Sequence, residues 1–196
     1  DCFFDHHGLY DPTLVVPLIF KYPGKVPANT RIDDYCQLKD VMPTILDLME
    51  IDHELKFDGR SLVPLLFGKE RTPEPEMYIT ECTWMRKHGW RTPEWKLICS
   101  LEPDFHFKPE IELYNLIIDP EENNNVAEQH PDVVAFLKGR MEQHIKLREE
   151  QTGNTAPIYT NLNWAGNGKS PFKSSQEAYD SMYIGSIASA VKLQKK

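Results

Sequence analysis

The chain has 196 residues, of which 40% are hydrophobic and 27% charged, and its formal net charge is −8. This composition fits one ordinary domain, or one domain with a small satellite, and excludes the disordered and fibrous classes. The negative charge argues against a nucleic-acid or anionic-membrane partner. No apolar run approaches the ~20 residues that a membrane span requires.

The first residue is Asp1, and no charged segment followed by an apolar one precedes the first predicted element. We therefore expect a piece of a longer protein or a processed chain, whose localisation cannot be read from this sequence. The four cysteines are widely spaced and form no C-x-x-C pair, which argues against a zinc or thioredoxin-type site. Buried free thiols are the favoured interpretation, and one disulfide is the alternative.

The first third of the chain predicts a strand followed by a helix. Residues 14–20 form a continuous apolar run typical of a strand buried on both faces, although Pro17 limits its pairing. Apolar residues fall at helical spacing over residues 37–49, so a helix is expected to begin or to kink at Pro43. This order favours an α/β sheet.

A second, smaller unit is predicted after a polar, proline-rich boundary at residues 67–75. Three short β-like segments, residues 77–84, 95–101 and 110–116, are spaced as in an antiparallel meander. Pro131 then opens a helix with one apolar stripe. The stripe consists of Val133, Val134, Leu137, Met141 and Ile145. The remaining tail has no periodicity beyond a short helix near Gln176.

The densest group of ionisable side chains is Asp5, His6 and His7, directly before the predicted strand. In α/β sheets, reactive groups collect at strand ends, where the main chain is rigid and loops stay open to substrate. Adjacent side chains on extended backbone point in opposite directions, so at most one of the two histidines is expected to face a site. The alternative is one surface histidine and one hydrogen-bonded structural histidine.

A second candidate lies at residues 88–91, where a glycine separates His88 from Trp90 and Arg91. We expect a glycine-bearing turn between two strands that aims Trp90 and Arg91 at a pocket. A guanidinium suits a planar or tetrahedral oxyanion. The alternative is a solvated hairpin tip. Lys96, Asp58 and Arg60, by contrast, are expected to be structural and to form ion pairs or turn contacts.

Five stretches in the same order resemble the C-terminal portion of the sulfatases. Together they cover roughly residues 3–145. They are FDHHGLYDPTLVVPLIF at residues 4–20, LKDVMPTILDL at 38–48, DGRSLVPLL at 58–66, RTPEWKLI at 91–98 and ELYNL with the following DPEENNN at 112–125.

The resemblance implies an alkaline-phosphatase-like α/β fold and hydrolysis of sulfate esters by a formylglycine, with a calcium ion held by acidic and amide side chains. By position, His6 is the best match for the basic residue that contacts the sulfate or assists the leaving group, and His7 is second. The family's C-terminal hairpin shapes the substrate entrance, which would make His88, Trp90 and Arg91 substrate-binding residues.

Two family motifs are absent. The sequence contains neither C/S-x-P-x-R nor the Asp-His-Gly metal motif. Cys82 and Arg86 have the right separation, but Trp84 replaces the proline, and we interpret this as coincidence. We therefore expect the formylglycine and the calcium ligands on a missing N-terminal half, and no hydrolysis by this chain alone.

The expected organisation has three parts. Residues 1–68 form the C-terminal part of the catalytic α/β domain, residues 69–150 a small α+β subdomain and residues 151–196 an irregular tail. The first hypothesis is a segment of a sulfatase acting on a sulfated small molecule or glycan. The second is phosphonate or phosphate ester hydrolysis on the same scaffold, and the third is a non-catalytic interaction or structural module.

Overall fold

The computed structural model describes residues 8–69, 76–82, 85–160 and 172–180. They divide into two compact units. The first, the sheet unit, joins residues 8–16 to the described residues from Glu76 onwards, and the second, the helical unit, begins at Pro17 and ends before Glu76. The expected boundary near residue 68 falls close to the end of the helical unit, whereas residues 8–16 group with the sheet because they pack on it.

The sheet unit contains four antiparallel strands in the order β1-β2-β3-β4. Their bounds are Met77–Glu81 for β1, Lys87–Arg91 for β2, Trp95–Ser100 for β3 and Ile111–Asn115 for β4. The predicted meander is therefore confirmed, with three of its strands at the predicted places. β2 was not predicted as a strand, because its Lys-His-Gly-Trp-Arg sequence has no β-branched residue.

The long helix α4, Pro131–Thr152, covers one face of the sheet. Pro131 occupies its first turn, where a missing N–H costs no helical hydrogen bond. Gly153 ends it in the left-handed conformation, with φ of 70°. The predicted stripe is confirmed, since its last three residues are buried and its two valines pack against them. The shared core consists of Trp90, Leu97, Cys99, Leu113, Leu137, Met141 and Ile145.

The other face of the sheet is covered by residues 8–14, which we call the anchored segment. Leu9 and Tyr10 are buried against Ile79, Ile98 and Tyr114. The segment ends in a one-turn helix, α1, at Asp11–Leu14. Because both faces of the sheet are covered, every residue of β2 is buried.

The strand predicted at residues 14–20 is wrong. Leu14 ends α1, and residues 15–20, all of which the structure describes, form no strand. Val15 is 63% exposed and Ile19 is 86% exposed. The physical reason is that a strand buried on both faces needs neighbouring strands, and the four described strands pair only with one another.

The helical unit contains a 3-10 turn at Leu38–Asp40, α2 at Val41–Leu48 and α3 at Val63–Leu66. The predicted helix is confirmed as α2, although it begins two residues before Pro43. The proline is tolerated there because N–H groups of the first turn have no partner within the helix.

A buried carboxylate ties the turn before α2 to residues farther along the chain. The Asp40 carboxylate accepts the N–H of Gln37 at 3.0 Å and of Arg60 at 2.9 Å. The Thr44 hydroxyl accepts the N–H of Leu62 at 2.8 Å. These bonds satisfy polar groups at the two ends of the loop that returns the chain to α2.

The tail contains α5 at Pro157–Thr160 and α6 at Ser175–Tyr179, so the short helix predicted near Gln176 is confirmed. Of the cysteines that the structure describes, Cys99 is buried, Cys82 is half-buried and Cys36 is exposed, and all three are free thiols. Among the described helices, none combines the length and apolar character needed to cross a membrane.

Candidate functional site

His6 and His7 lie outside the described residues, so the site is approached through the anchored segment that follows them directly. Gly8 is the first described residue, and it contacts the sheet. Its backbone N–H donates to the carboxylate of Glu81 on β1. The anchored segment is positioned by the polar groups of the sheet that face it.

One face of the sheet, which we call the charged face, carries buried ionic side chains from each of the four described strands. Positions two or four residues apart in a strand point to the same side of a sheet. These side chains are Glu81 on β1, Lys87 and Arg91 on β2, Lys96 on β3 and Glu112 on β4. Buried charges require partners, and most of the partners here come from the anchored segment and two loops.

Asp11 receives two cationic groups. Arg91 donates to both carboxylate oxygens of Asp11, from Nε at 3.1 Å and from Nη2 at 2.8 Å. Lys96 donates from Nζ to Oδ1 of Asp11 at 2.5 Å. A bidentate guanidinium fixes the orientation of a carboxylate as well as its position. Asp11 is thus clamped by two neighbouring strands.

Lys96 is completely buried and also pairs with Glu122, at 2.7 Å. The ion pair expected for Lys96 is therefore confirmed. Glu122 precedes the Asn repeat in the loop after β4, and its carboxylate accepts the backbone N–H of Asp11 at 2.6 Å. The backbone and the side chain of Asp11 are therefore both held, and Lys96 lies between the carboxylates of Asp11 and Glu122.

A tyrosine pair fixes the middle of the segment. Tyr10 donates its hydroxyl hydrogen to Glu112 at 2.6 Å, and Tyr114 donates to the same oxygen at 2.6 Å. Lys87 lies 3.7 Å from Glu112 and also pairs with Asp104. Tyr10 therefore reaches a carboxylate that is already balanced by a buried cation.

The pKa directions follow from burial and charge. Burial by itself would raise the pKa of Asp11, but the hydrogen bonds and charges of Arg91 and Lys96 outweigh it and hold that pKa below its usual value. Burial raises the pKa of Glu122, and Lys96 offsets only part of that rise. Burial and the adjacent Glu112 raise the pKa of Tyr10, so its hydroxyl remains a hydrogen-bond donor.

The expected turn at residues 88–91 is wrong, because these residues form β2 and the actual turn is at residues 92–94. There the N–H of Thr92 donates to the carbonyl of Trp95 at 2.8 Å. Gly89 serves close approach rather than turning: a Cβ at this position would lie 2.0 Å from the Leu97 carbonyl oxygen. Glycine occurs both in turns and in strands that pack closely against another backbone, so the glycine alone did not distinguish β2 from a turn.

The three residues of that candidate do not converge. Arg91 lies on the charged face, whereas His88 and Trp90 lie on the α4 face. Burial, followed by the charge of Lys138, lowers the pKa of His88 to about 4, so this imidazole is neutral near pH 7. The indole N–H of Trp90 donates to Glu76 at 2.8 Å. Their assignment to substrate binding stays a prediction.

The structure adds three residues that the sequence did not single out as candidates in this site: Asp11, Glu122 and Glu112. The available signal was a single charged residue between apolar neighbours in each strand, Lys96 in β3 and Glu112 in β4. Within the described ranges, no three His, Cys, Asp or Glu side chains are grouped to hold a metal ion. The Asp11 carboxylate is directed at Arg91 and Lys96, and the Glu122 carboxylate at Lys96, so neither fits a calcium ligand.

Comparison with known proteins assigns the family. The family described as "N-sulphoglucosamine sulphohydrolase, C-terminal" matches residues 1–148. An N-acetylglucosamine-6-O-sulfatase of Bacteroides thetaiotaomicron is 27% identical over 159 residues, which cover 72% of this chain and 27% of the relative. Arylsulfatase K of Gallus gallus is 30% identical over 140 residues, covering 66% of this chain and 25% of the relative. The chain thus spans about a quarter of the length of these relatives.

Part of a solved structure is also similar to this chain. A protein in complex with its substrate D-glucosamine-2-N,6-O-disulfate is 24% identical, with a TM-score of 0.46, and the match covers 57% of this chain and 24% of that one. The family model extends over three quarters of the sequence, and its residues 1–148 include the histidine pair and the α4 core stripe. The chain therefore belongs to the C-terminal sulfatase family named for N-sulphoglucosamine sulphohydrolase.

Proposed function

We propose that this chain is the C-terminal part of a hydrolase that cleaves sulfate esters. We further propose that one histidine of its pair, His6 or His7, donates a proton to the leaving group. The observation that carries the proposal is the family match over residues 1–148, which includes His6 and His7. The curated relatives named above are sulfatases, which favours sulfate over phosphonate or phosphate esters.

The contacts between the charged face and the anchored segment support this proposal. Sheet-borne carboxylates and cations hold Gly8, Tyr10 and Asp11, all within five residues of His6. A group that transfers a proton must be held within hydrogen-bond reach of the leaving oxygen. A segment with anchors at three of its first four residues meets that requirement better than a free loop.

In the complete enzyme, the formylglycine and calcium of the family would supply the nucleophile and the charge that binds the sulfate group. The contribution proposed for this chain is narrower. His6, or else His7, carries a proton on its imidazole and donates it to the alkoxide or phenoxide as the ester bond breaks. The charged face keeps the backbone after the pair in one place while this happens.

The substrate class follows the same relatives. Amino-sugar sulfates belong in the test panel, because one relative is named an N-acetylglucosamine-6-O-sulfatase and one similar structure contains a disulfated glucosamine. We propose a sulfated glycan or its small-molecule analogue as substrate. His88, Trp90 and Arg91 remain the proposed contacts to its organic part, with Arg91 already engaged by Asp11.

The test is sulfatase activity of the full-length protein on an aryl sulfate, before and after His6→Ala. We expect the rate to fall by about 100-fold or more, the usual contribution of a positioned general acid. His53→Ala is the control, since His53 is an exposed histidine of the helical unit. An unchanged rate in His6→Ala would rule out that role for His6 and shift it to His7, which the same assay of His7→Ala examines.

The competing chemistry is tested on the same protein. We expect a higher kcat/KM for phenyl sulfate than for a phenyl phosphonate ester with the same leaving group. The reverse preference would contradict the sulfatase assignment. Failure to cleave any aryl or amino-sugar sulfate would support the non-catalytic alternative instead.

A further inference from the structure

We propose that a groove in the sheet unit binds an uncharged sugar residue. The groove lies between β1, the C-terminal half of α4 and the segment that leads into α5, and its volume is about 580 Å³. This volume is within the range of pockets that hold small ligands. The choice of a sugar rests in part on the proposed function, in which the substrate is a glycan.

Two backbone repeats place side chains along the groove. Tyr78 and Thr80 in β1 and Cys82 directly after it are two residues apart, so they point to the same side of the strand. His144 and Arg148 are four residues apart in α4 and lie on the same side of the helix. The strand and the helix thus each contribute one wall, and both walls belong to regular structure.

The segment between α4 and α5 bounds the groove and is held at two places. The carboxylate of Glu149 accepts the backbone N–H of Ala156 at 2.7 Å. Arg86, directly before β2, donates from Nη1 to the carbonyl of Ile158 at 3.2 Å. Because these bonds fix the segment to the helix and to the sheet, little ordering is needed when a ligand binds.

An aromatic pair forms part of the groove lining. The rings of Tyr78 and His144 stack, with their centroids 5.3 Å apart and an angle of 29° between their planes. The face of an aromatic ring is electron-rich and packs favourably against weakly positive hydrogens, such as the C–H groups of a sugar ring. This surface therefore suits a ring that is apolar on its faces and polar at its edge.

The polar groups of the lining include both donors and acceptors. Arg148 contributes a guanidinium, Thr80 a hydroxyl, and Glu81 and Glu149 contribute carboxylates. A sugar hydroxyl donates and accepts, so it can bond to both kinds of group. An ionised sulfate group accepts only, and two carboxylates beside it would oppose its charge. The lining therefore favours an uncharged sugar residue over a sulfated one.

Cys82 allows occupancy of the groove to be measured directly, because it is a free, half-buried thiol of the lining. In the full-length protein, its alkylation by iodoacetamide is followed by mass spectrometry with and without N-acetylglucosamine. This sugar is uncharged and has no sulfate ester, so the proposed reaction cannot consume it. We expect alkylation to slow by the factor 1 + [L]/Kd, about 10-fold at a sugar concentration of about nine times Kd. The exposed Cys36 of the helical unit should react at an unchanged rate.

A pair of variants tests the role of the groove lining. Arg148→Ala removes a charged donor and should raise the Kd for N-acetylglucosamine, measured by the same protection, about 10-fold or more. Lys146→Ala is the matched control, since it removes the same charge from an exposed position of α4 outside the groove lining. It should leave the Kd unchanged. Equal values of Kd in the two variants would overturn the proposal.

Two further compounds test the class of ligand. Sodium sulfate and the open-chain polyol sorbitol should each protect Cys82 much less than N-acetylglucosamine does at the same concentration. Equal protection by sulfate would show an anion site, and equal protection by sorbitol would show that a sugar ring is not recognised. Either result would contradict an uncharged-sugar site.

The two proposals fail in different ways. If N-acetylglucosamine does not protect Cys82 while the full-length protein cleaves an aryl sulfate, the sugar site is wrong and the proposed function is supported. If the sugar protects Cys82 while no sulfate ester is cleaved, the proposed function is wrong and the sugar site is supported.

Discussion

At the scale of single residues, the decisive feature is Lys96. Its side chain is fully buried and lies between the carboxylates of Asp11 and Glu122. Replacing a whole buried ion pair by apolar residues often changes stability little. Removing one partner is strongly destabilising, because it leaves an uncompensated buried charge. We therefore expect the loss of Lys96 to lower the free energy of unfolding strongly.

We expect Lys96→Met to lower the free energy of unfolding by about 3–5 kcal/mol, because the buried Glu122 carboxylate and the half-buried Asp11 carboxylate then lose their shared cation. Urea unfolding of the chain, followed by tryptophan fluorescence, measures this change. Lys25→Met is the control, since Lys25 pairs with Glu50 on an exposed surface and should change little. A Lys96→Met change as small as the control would show that the buried network does not hold the segment.

At the scale of elements, β2 and α4 each contain a glycine, and the two glycines differ in the space around them. Gly89 lies in the middle of β2, opposite Ile98, where the backbone of β3 leaves no room for a Cβ. Gly139 lies in α4, and nothing is within 4 Å of the position that a Cβ would occupy. The same substitution should therefore have opposite effects in the strand and in the helix.

We expect Gly89→Ala to destabilise the chain by about 2 kcal/mol or more, because the strands must separate or shift to admit the methyl group. Gly139→Ala should stabilise it by about 0.5–1 kcal/mol, since alanine has the higher helix propensity. The difference in unfolding free energy between the two variants is the quantity to measure. Similar effects of both substitutions would contradict the β2–β3 register.

At the scale of the whole molecule, the sheet unit and the helical unit differ in how much of their apolar surface this chain buries. The sheet unit has a core on each face of its sheet. The helical unit exposes large apolar side chains, and residues 17–36 make few backbone hydrogen bonds. The exposed set in this unit includes Leu18, Ile19, Leu38, Met42, Ile45, Met49, Ile51 and Leu55. Such exposure is typical of a surface that another part of a protein covers.

We expect hydrogen exchange in the isolated chain to be slow in β2, β3 and α4 and fast at residues 17–36, because protection follows buried and hydrogen-bonded backbone. In the full-length protein, both regions should exchange slowly. Equal protection of residues 17–36 with and without the rest of the protein would show that this chain completes the unit by itself.

The sequence alone determined the elements whose stability is local. The stripe from Val133 to Ile145 predicted α4, and turn residues around apolar segments predicted β1, β3 and β4. The five ordered motifs gave the sulfatase family, which the match over residues 1–148 confirms. These features need only neighbouring residues, so a single sequence displays them.

Only the tertiary structure shows which side of the sheet carries the buried ionic side chains. Asp11 and Lys96 are separated by 85 positions in the chain, and no local pattern marks them as partners. A charged residue between apolar neighbours in a strand has the same sequence pattern whether its face of the sheet is solvated or covered. Only the docking of the anchored segment makes it a buried face, because the long-range ion pairs and apolar contacts form together.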